Sequence, residues 1–595
     1  MTAHPSTPIA RLRRTTLALC LAGALPAFAV GAATARPFED HGHIPFGKDR
    51  HAVRAVRALK DAMNVSRSAG SPAKNTHGVG IVVQNCDAAG AGSLRDAFAN
   101  AQADDIIDLR SLECPNGEIR LTAASGGSIG TTISGLQIVG PGAAALTIHG
   151  DDTNPVFQTL FAGLSIADLT IAHGRSTSGF GGCLFIDGDL TLTRSVVTGC
   201  RAGDGANAES FGGGADVLGN LIMNESTIRD STALAADSAY GGGAYVKGTA
   251  TLQASTVSSN TARSTSLYAM GGGVLVEGAV SILGGSRLTL NVAHSEAGVS
   301  FGGAFMTEGT AEIRNRSTIS SNISESANAR SNGGGVVAFG DIVIERSAIV
   351  GNTARSSCAN CLTQGGGAIG FGAIAVVDSS ISNNSVQGAS SVGGGLATYS
   401  PDESGAITVT NSTISGNRAI GTQSGAGGGI IALYRSPFTV TSSTIAFNEA
   451  TTFGGGLAGS DTATIHPSIV NSIVAMNTAA AGADVDSAYP QNPFTIEGSN
   501  NIVISTDHVD FAVAPSTADP KLMPLFNNGG ATQTHALANC SPAINQGTPV
   551  NIANDQRGAP YVRAFGSAPD IGAFEAQPDA DIIFGTSFEI LPDCD

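Results

Sequence analysis

The chain has 595 residues, 31 Lys and Arg against 48 Asp and Glu, a formal net charge of -17, and 13% charged against 42% hydrophobic residues. Basic residues this sparse and scattered argue against nucleic acid or an anionic membrane as partner. Gly and Pro are too few for a low-complexity disordered chain, and Gly lacks the every-third-residue spacing of collagen, so a folded chain is expected.

In chain order, Arg11, Arg13 and Arg14 precede an apolar stretch from Thr15 to Ala33, with small-residue sites at Ala27-Phe28-Ala29 and Ala33-Thr34-Ala35. This pattern predicts an export signal over 1–35, by the general or the twin-arginine route. No later stretch is long and apolar enough to span a membrane as a helix. Residues 36–78 read as a flexible linker, in which Asp40, His41 and His43 are expected to be solvated rather than to hold a metal. An N-terminal cap and first coils are expected over 79–180. There Ser93 stands three residues before Asp96, the capping spacing, and Leu94, Ala97, Phe98 and Ala101 make one apolar stripe. A short amphipathic helix follows, and its expected task is to cover the open end of a strand array. Strand-like segments come next at Ile106-Ile107, Ile119 to Leu121, Leu136 to Val139, Leu146 to Ile148 and Leu164 to Ile171.

A repeat then governs 181–481. Gly clusters begin at Gly181, Gly212, Gly241, Gly271, Gly302, Gly333, Gly365, Gly393, Gly427 and Gly454, at spacings of 27 to 34 residues. A second mark, Ser-Thr-Ile-Ser-x-Asn or a variant, places Asn260, Asn291, Asn322, Asn352, Asn384, Asn417, Asn448 and Asn477 on the same period. Counted from the last Gly, first positions are Ala215, Ala244, Val274, Ala304, Val336, Ala368, Leu396 and Ile430. Third positions include Val217, Val246, Val276, Met306 and Ala338. Apolar residues at alternate positions mean a strand with one buried face. Several short strands per repeat, Gly turns and no helical period predict an all-β fold, a single-stranded right-handed parallel β-helix with a short N-terminal capping helix. The recurrent Asn is expected to stack coil on coil. Cys200 takes the ladder position of its coil, with Cys183 at the first inward position.

Cys20 lies in the signal, and eight of the 9 cysteines remain. An even number in an exported chain suggests disulfides, and proximity suggests Cys86–Cys114, Cys183–Cys200, Cys358–Cys361 and Cys540–Cys594, although sequence does not determine connectivity. Cys358 and Cys361 are expected to close a local loop, because one isolated pair is a poor zinc signal. A different region runs over 482–576, and 577–595 is an acidic tail.

Three segments resemble known families. Cys86 to Leu109 (C-D-A-A-G-A-G-S-L-R-D-A-F … D-D-I-I-D-L) resembles the opening of secreted β-helix proteins of the pectin-lyase-like superfamily. The G-G-G-A/V/I and I-x-x-N repeats resemble those of chlamydial polymorphic outer membrane proteins. Phe526 to Leu537, Ser541 to Gly547, Asp555 to Gly558 and Asp570 to Glu575 resemble the choice-of-anchor Q domain. These resemblances imply an extracellular or cell-surface location and no defined activity.

Chemistry is sparse on the repeats. Glycoside hydrolysis needs two carboxylates at close spacing, and a lyase needs a cationic base beside calcium held by carboxylates. Asp187 and Asp216 are the weak catalytic candidates, with Asp189, Arg194 and Arg201 nearby in sequence and Asp378 in a later coil. The fourth position after the last Gly points outward by alternation and carries Phe339, Phe371 and Tyr399, with Tyr434 one place later in the next coil. The second position, also outward, carries Tyr245, Leu275, Phe305, Val337 and Ile369, and Lys247 and Glu277 are expected to pair. Stacked at coil spacing, the aromatic residues offer a binding platform for sugar rings or a protein partner, and the alternative is that the Ser/Thr-rich loops preceding each Gly cluster fold over them. The expected function is therefore a secreted or cell-surface β-helix protein with an adhesin-like, scaffold or binding role. The alternative is a polysaccharide lyase or glycoside hydrolase acting on acidic polysaccharide. No cofactor or metal is expected, and calcium enters only under the lyase alternative.

Overall fold

The computed structural model describes residues 80–400, 405–433, 436–460, 466–489 and 491–577. The expected signal and linker, Tyr434, Cys594 and the tail beyond Gln577 lie outside the described residues.

The chain opens with strand Gly80–Val82 and helix α1, Leu94–Asn100. Ser93 caps α1, its hydroxyl accepting from the Asp96 amide at 3.2 Å, and Asp96 in turn accepts from the Gly92 amide at 2.8 Å. Leu94, Ala97 and Phe98 are buried, and Phe98 stacks on Phe157 with ring centroids 5.5 Å apart. The apolar stripe thus closes the first coils, whose interior would otherwise face water.

Beyond α1 the strands form four long parallel sheets. Sheets I, II and III have 14 strands each and sheet IV has 16. One coil shows the path: Ala244–Val246 in sheet I, Ala250–Gln253 in sheet II, Thr256–Ser258 in sheet III, then Thr261–Ser264 and Tyr268–Met270 in sheet IV. The next coil lies in register on it, Ala244, Tyr245 and Val246 pairing with Val274, Leu275 and Val276. Inward residues such as Val246, Leu252 and Val257 are essentially inaccessible and join one core running from Val83 to Val503. In later coils the two strands of sheet IV fuse, as Ser385–Val392 and Arg418–Ala426. The parallel sheets continue past the Gly clusters, through Val485–Ser487 and Thr506–Asp507.

The Gly cluster and the Asn ladder are one device. The first Gly is left-handed, φ +64° at Gly241, and a Cβ on the second would stand 2.2 Å from the next coil's carbonyl at Gly242. The third faces the ladder: a Cβ on Gly243 would lie 3.0 Å from the Asn260 side chain. Each Asn amide donates to the next Asn carbonyl oxygen, from Asn260 to Asn291 at 3.0 Å through Asn448 to Asn477 at 2.9 Å. Its other hydrogen goes to a backbone carbonyl one coil back, as Asn352 does to Ile319 at 2.9 Å. A parallel column of Ser, including Ser255 and Ser286, accepts backbone amides coil by coil at the bend between sheets II and III.

Because the third Gly is the least constrained, Ala304 and Cys183 replace it. Counting from the last Gly then slips by one in those coils. Phe305, expected to point outward, pairs with Val274 and Val336 in the inward column and is fully buried. Cys183 likewise sits at the third-Gly position, beside the ladder, where it bonds to Cys200. Cys86–Cys114 and Cys358–Cys361 are also formed, and Cys540 is disulfide-bonded.

The C-terminal region folds back over the outer face of sheet III. Thr413 donates to Gln556 at 2.5 Å, Ser415 meets His535 at 2.8 Å, and Thr444 accepts from the Ala573 amide at 3.0 Å. Ile473, Ala475 and Ile502 share a small core with Leu537, Ala543 and Ile571. Within this region Arg557 is buried, pairs with Asp555 at 2.7 Å, and lies between the rings of Tyr561 and Phe574. Glu575 accepts from the Phe565 and Asp570 amides at 2.7 and 2.8 Å, yet burial pushes its carboxyl up to about 7.

Asn352→Ala removes the acceptor that serves Asn322 and leaves buried donors without a partner. It should cost about 1–3 kcal/mol, read from the denaturation midpoint of the purified chain; a shift no larger than that of a surface substitution would show that the ladder contributes little. Glu575 has a folded pKa raised from 4.5, so its stabilising contribution is present below that value and is lost as pH rises through about 7. Wild type should therefore lose roughly 1–3 kcal/mol relative to Glu575→Gln between acid and mildly alkaline pH, measured by denaturation across that range.

Candidate binding face on sheet I

Sheet I is the place to look for chemistry, because its outward columns carry the residues that depart from the repeat. The second-position column is Phe185, Asp216, Tyr245, Leu275, Met306, Val337 and Ile369 in successive coils. It points away from the core but is not open, since every member is at most 2% exposed. The chain enters the Gly cluster from sheet IV and folds over it, with Phe180 edge-on to Phe185 and Phe211 edge-on to Tyr245. Of the two expectations, open platform or covering chain, the covering one holds for this column: the Gly kink makes a concave corner that buries it. Asp216 has no exposed surface, so it cannot touch a substrate in this conformation.

The fourth-position column is half-buried rather than covered. In coil order it runs Asp187, Leu218, Lys247, Glu277, Glu308, Phe339, Phe371 and Tyr399. Phe339 and Phe371 stack with centroids 4.6 Å apart and planes within 5°, a spacing set by the backbone ladder beneath them. Tyr399 extends the row, tilted, at 5.8 Å. In the following coil the residue in register with Tyr399 is Leu433.

Beside the rings, Glu277 accepts from the Tyr245 hydroxyl at 2.5 Å. It does so in place of the expected pairing with Lys247. Burial, then the charges of Glu277, Asp216 and Glu308, push the Tyr245 hydroxyl far above its usual range, so Tyr245 stays a neutral donor. Glu277 and Glu308 occupy one column in adjacent coils, which sets their backbones roughly 5 Å apart. Glu308 escapes a count from the last Gly because Ala304 shifts it by one; the 31-residue step from Glu277 is the signal that finds it.

The other sequence candidates are dispersed. Asp187 sits on sheet I and accepts from the Phe161 amide at 3.0 Å. Asp189 ties down a turn through the Asn220 amide, Arg194 pairs with Asp168 at the bend before sheet III, and Arg201 lies on sheet IV. Asp378 is held by Asn411 at 2.7 Å beneath the returning C-terminal region, where burial raises its carboxyl. No cationic base therefore converges on Asp187 and Asp216 among these residues.

No family model matches the sequence, and no curated protein matches it. Two solved structures are similar to the chain. Pectate lyase Pel9A is 14% identical, with 84% of this chain and 97% of that one covered, at a TM-score of 0.27. An alginate lyase, AlyF-OU02, is 10% identical, with 77% and 92% covered, at 0.29. Scores this low carry no argument about activity, and the fold rests on the sheet topology itself.

Phe371→Ala should cost about 1 kcal/mol and leave the solenoid folded, because a half-exposed ring is removed and no buried polar group is orphaned. Thermal unfolding and far-UV circular dichroism of the variant check this; collapse of the fold would show that the ring belongs to the core.

Proposed function

We propose that the fourth-position column of sheet I is a non-catalytic glycan-binding face of an exported protein. The observation that carries it is the half-exposed stack of Phe339 and Phe371, continued by Tyr399, beside Glu277 and Glu308. Flat rings take the apolar faces of sugar rings, and carboxylates accept from their hydroxyls, so the two halves of the column suit one chain laid along the solenoid axis. Its charge favours a neutral glycan over a uronate polymer: Lys247 is the one cation among the column residues from Asp187 to Tyr399, against Asp187, Glu277 and Glu308. The formed disulfides support an oxidising, extracellular setting.

The alternative of a glycoside hydrolase draws on Glu277 and Glu308, whose adjacent-coil placement is compatible with the separation of about 5–5.5 Å found in retaining enzymes. Calorimetry or affinity electrophoresis against neutral glucans and xylans, with polygalacturonate and alginate beside them, separates the readings. The double variant Phe371→Ala, Tyr399→Ala should weaken neutral-glycan binding at least about 10-fold, the equivalent of 1.4 kcal/mol; unchanged binding, or a preference for the uronates, sinks the proposal. Release of reducing ends that is lost in both Glu277→Gln and Glu308→Gln would instead establish the hydrolase.

A further inference from the structure

At the far end of sheet I the second-position column departs from its rule again. The preceding coils place Ile431 and Ala458 there, both buried and apolar, and the next coil places Asp486, fully buried. A carboxylate in that setting loses its hydration and needs compensation. One oxygen of Asp486 accepts from the Ser487 amide at 2.7 Å and faces His508 Nδ1 at 3.1 Å. The other oxygen, Oδ2, is buried with no hydrogen-bond partner.

Asp507 and His508 come from the next coil, where Asp507 pairs in register with Asp486. His508 has a left-handed backbone, φ +50°, and its Nδ1 lies 3.5 Å from Asp507 Oδ1 as well. Donor atoms of all three side chains fall within 4.8 Å of one another. A single imidazole nitrogen carries at most one hydrogen, so it cannot serve two carboxylates. A cation about 2.1 Å from each donor sets neighbouring donors about 3–3.4 Å apart; His508 Nδ1 stands 3.1 Å from Asp486 and 3.5 Å from Asp507, so a small contraction would bring the set onto one ion.

We propose that Asp486, Asp507 and His508 bind a divalent transition-metal cation, Zn2+ or Mn2+, that joins the last two coils of sheet I. Two carboxylates and one imidazole suit these metals, whereas Ca2+ takes six to eight oxygen ligands. Asp507 and His508 are partly exposed, leaving an entry path and room for water to complete the coordination. The site is separate from the aromatic column and does not depend on glycan binding.

The test uses the full exported chain, stripped with chelator, in calorimetry and thermal unfolding with Zn2+, Mn2+ and Ca2+. Zn2+ or Mn2+ should bind with one equivalent lost in His508→Ala, an affinity loss of at least about 10-fold, and should raise the unfolding temperature of wild type only. His508 is on the surface, so this variant keeps the fold; Asp507→Asn, also exposed, should behave alike. Equal metal stoichiometry and affinity in wild type and both variants, or no binding of Zn2+ or Mn2+ by wild type, would overturn the proposal.

Discussion

A solenoid of this kind depends on closing a buried polar column without water. From Asn260 to Asn477 each coil turns from sheet III to sheet IV through a buried Asn, and a buried amide carries two donors and an acceptor that must all be met. Stacking solves this only if every coil presents the same residue at the same height, so that one amide's oxygen receives the amide hydrogens of the coil before. The Gly cluster follows from that demand, since its third residue must leave space for the Asn side chain. In one coil both members change together: Cys183 and Cys200 take the Gly and Asn positions and meet their needs with a covalent bond. The ladder ends the same way, with Asn477 donating to buried Asp484.

The same stacking creates two problems at the boundaries. An open end exposes apolar interior and unpaired backbone, and α1 covers it with three buried side chains. A flat outer face of small hydroxyl residues cannot hold anything by apolar contact alone. Over sheet III the returning C-terminal region therefore attaches through hydroxyl and amide hydrogen bonds, including Asn471 to Thr548 at 2.7 Å. Arg557, Asp555, Arg563, Asp570 and Glu575 organise that region internally, and burial raises the carboxyls of Asp570 and Glu575. These charged residues lie in the region that covers sheet III, away from the aromatic column of sheet I.

Freedom for function is confined to positions that neither the ladder nor the core constrains. On sheet I that is the fourth position, where successive coils change from acidic to aromatic without disturbing the residues beneath. Backbone register holds Phe339 and Phe371 face to face at no added ordering cost, as a preorganised surface requires. The second position is constrained differently, being buried under the chain entering the Gly cluster, so a charge there, as at Asp486, requires compensation.

By itself the sequence determined the periodic part, the parallel coils, the Asn column and the capping helix, and proximity suggested the nearest disulfides. These are legible because each depends on residues at a constant spacing, or on neighbours such as Ser93 and Asp96. It also placed Phe339, Phe371 and Tyr399 in one column, since their coils keep three glycines. Tertiary structure decided what spacing cannot express. The pairing of Phe305 with Val274 shows that Ala304 replaces a Gly, and with it the alignment of Glu308 beside Glu277 that a count from the last Gly misses. The burial of Tyr245 and Asp216 depends on a fold-over from sheet IV that no alternation pattern encodes. The meeting of Asp486 with His508, and of Asn471 with Thr548, joins residues whose separations, 22 and 77, match no repeat. A period predicts which residues stack; only the packed chain shows what lies over them.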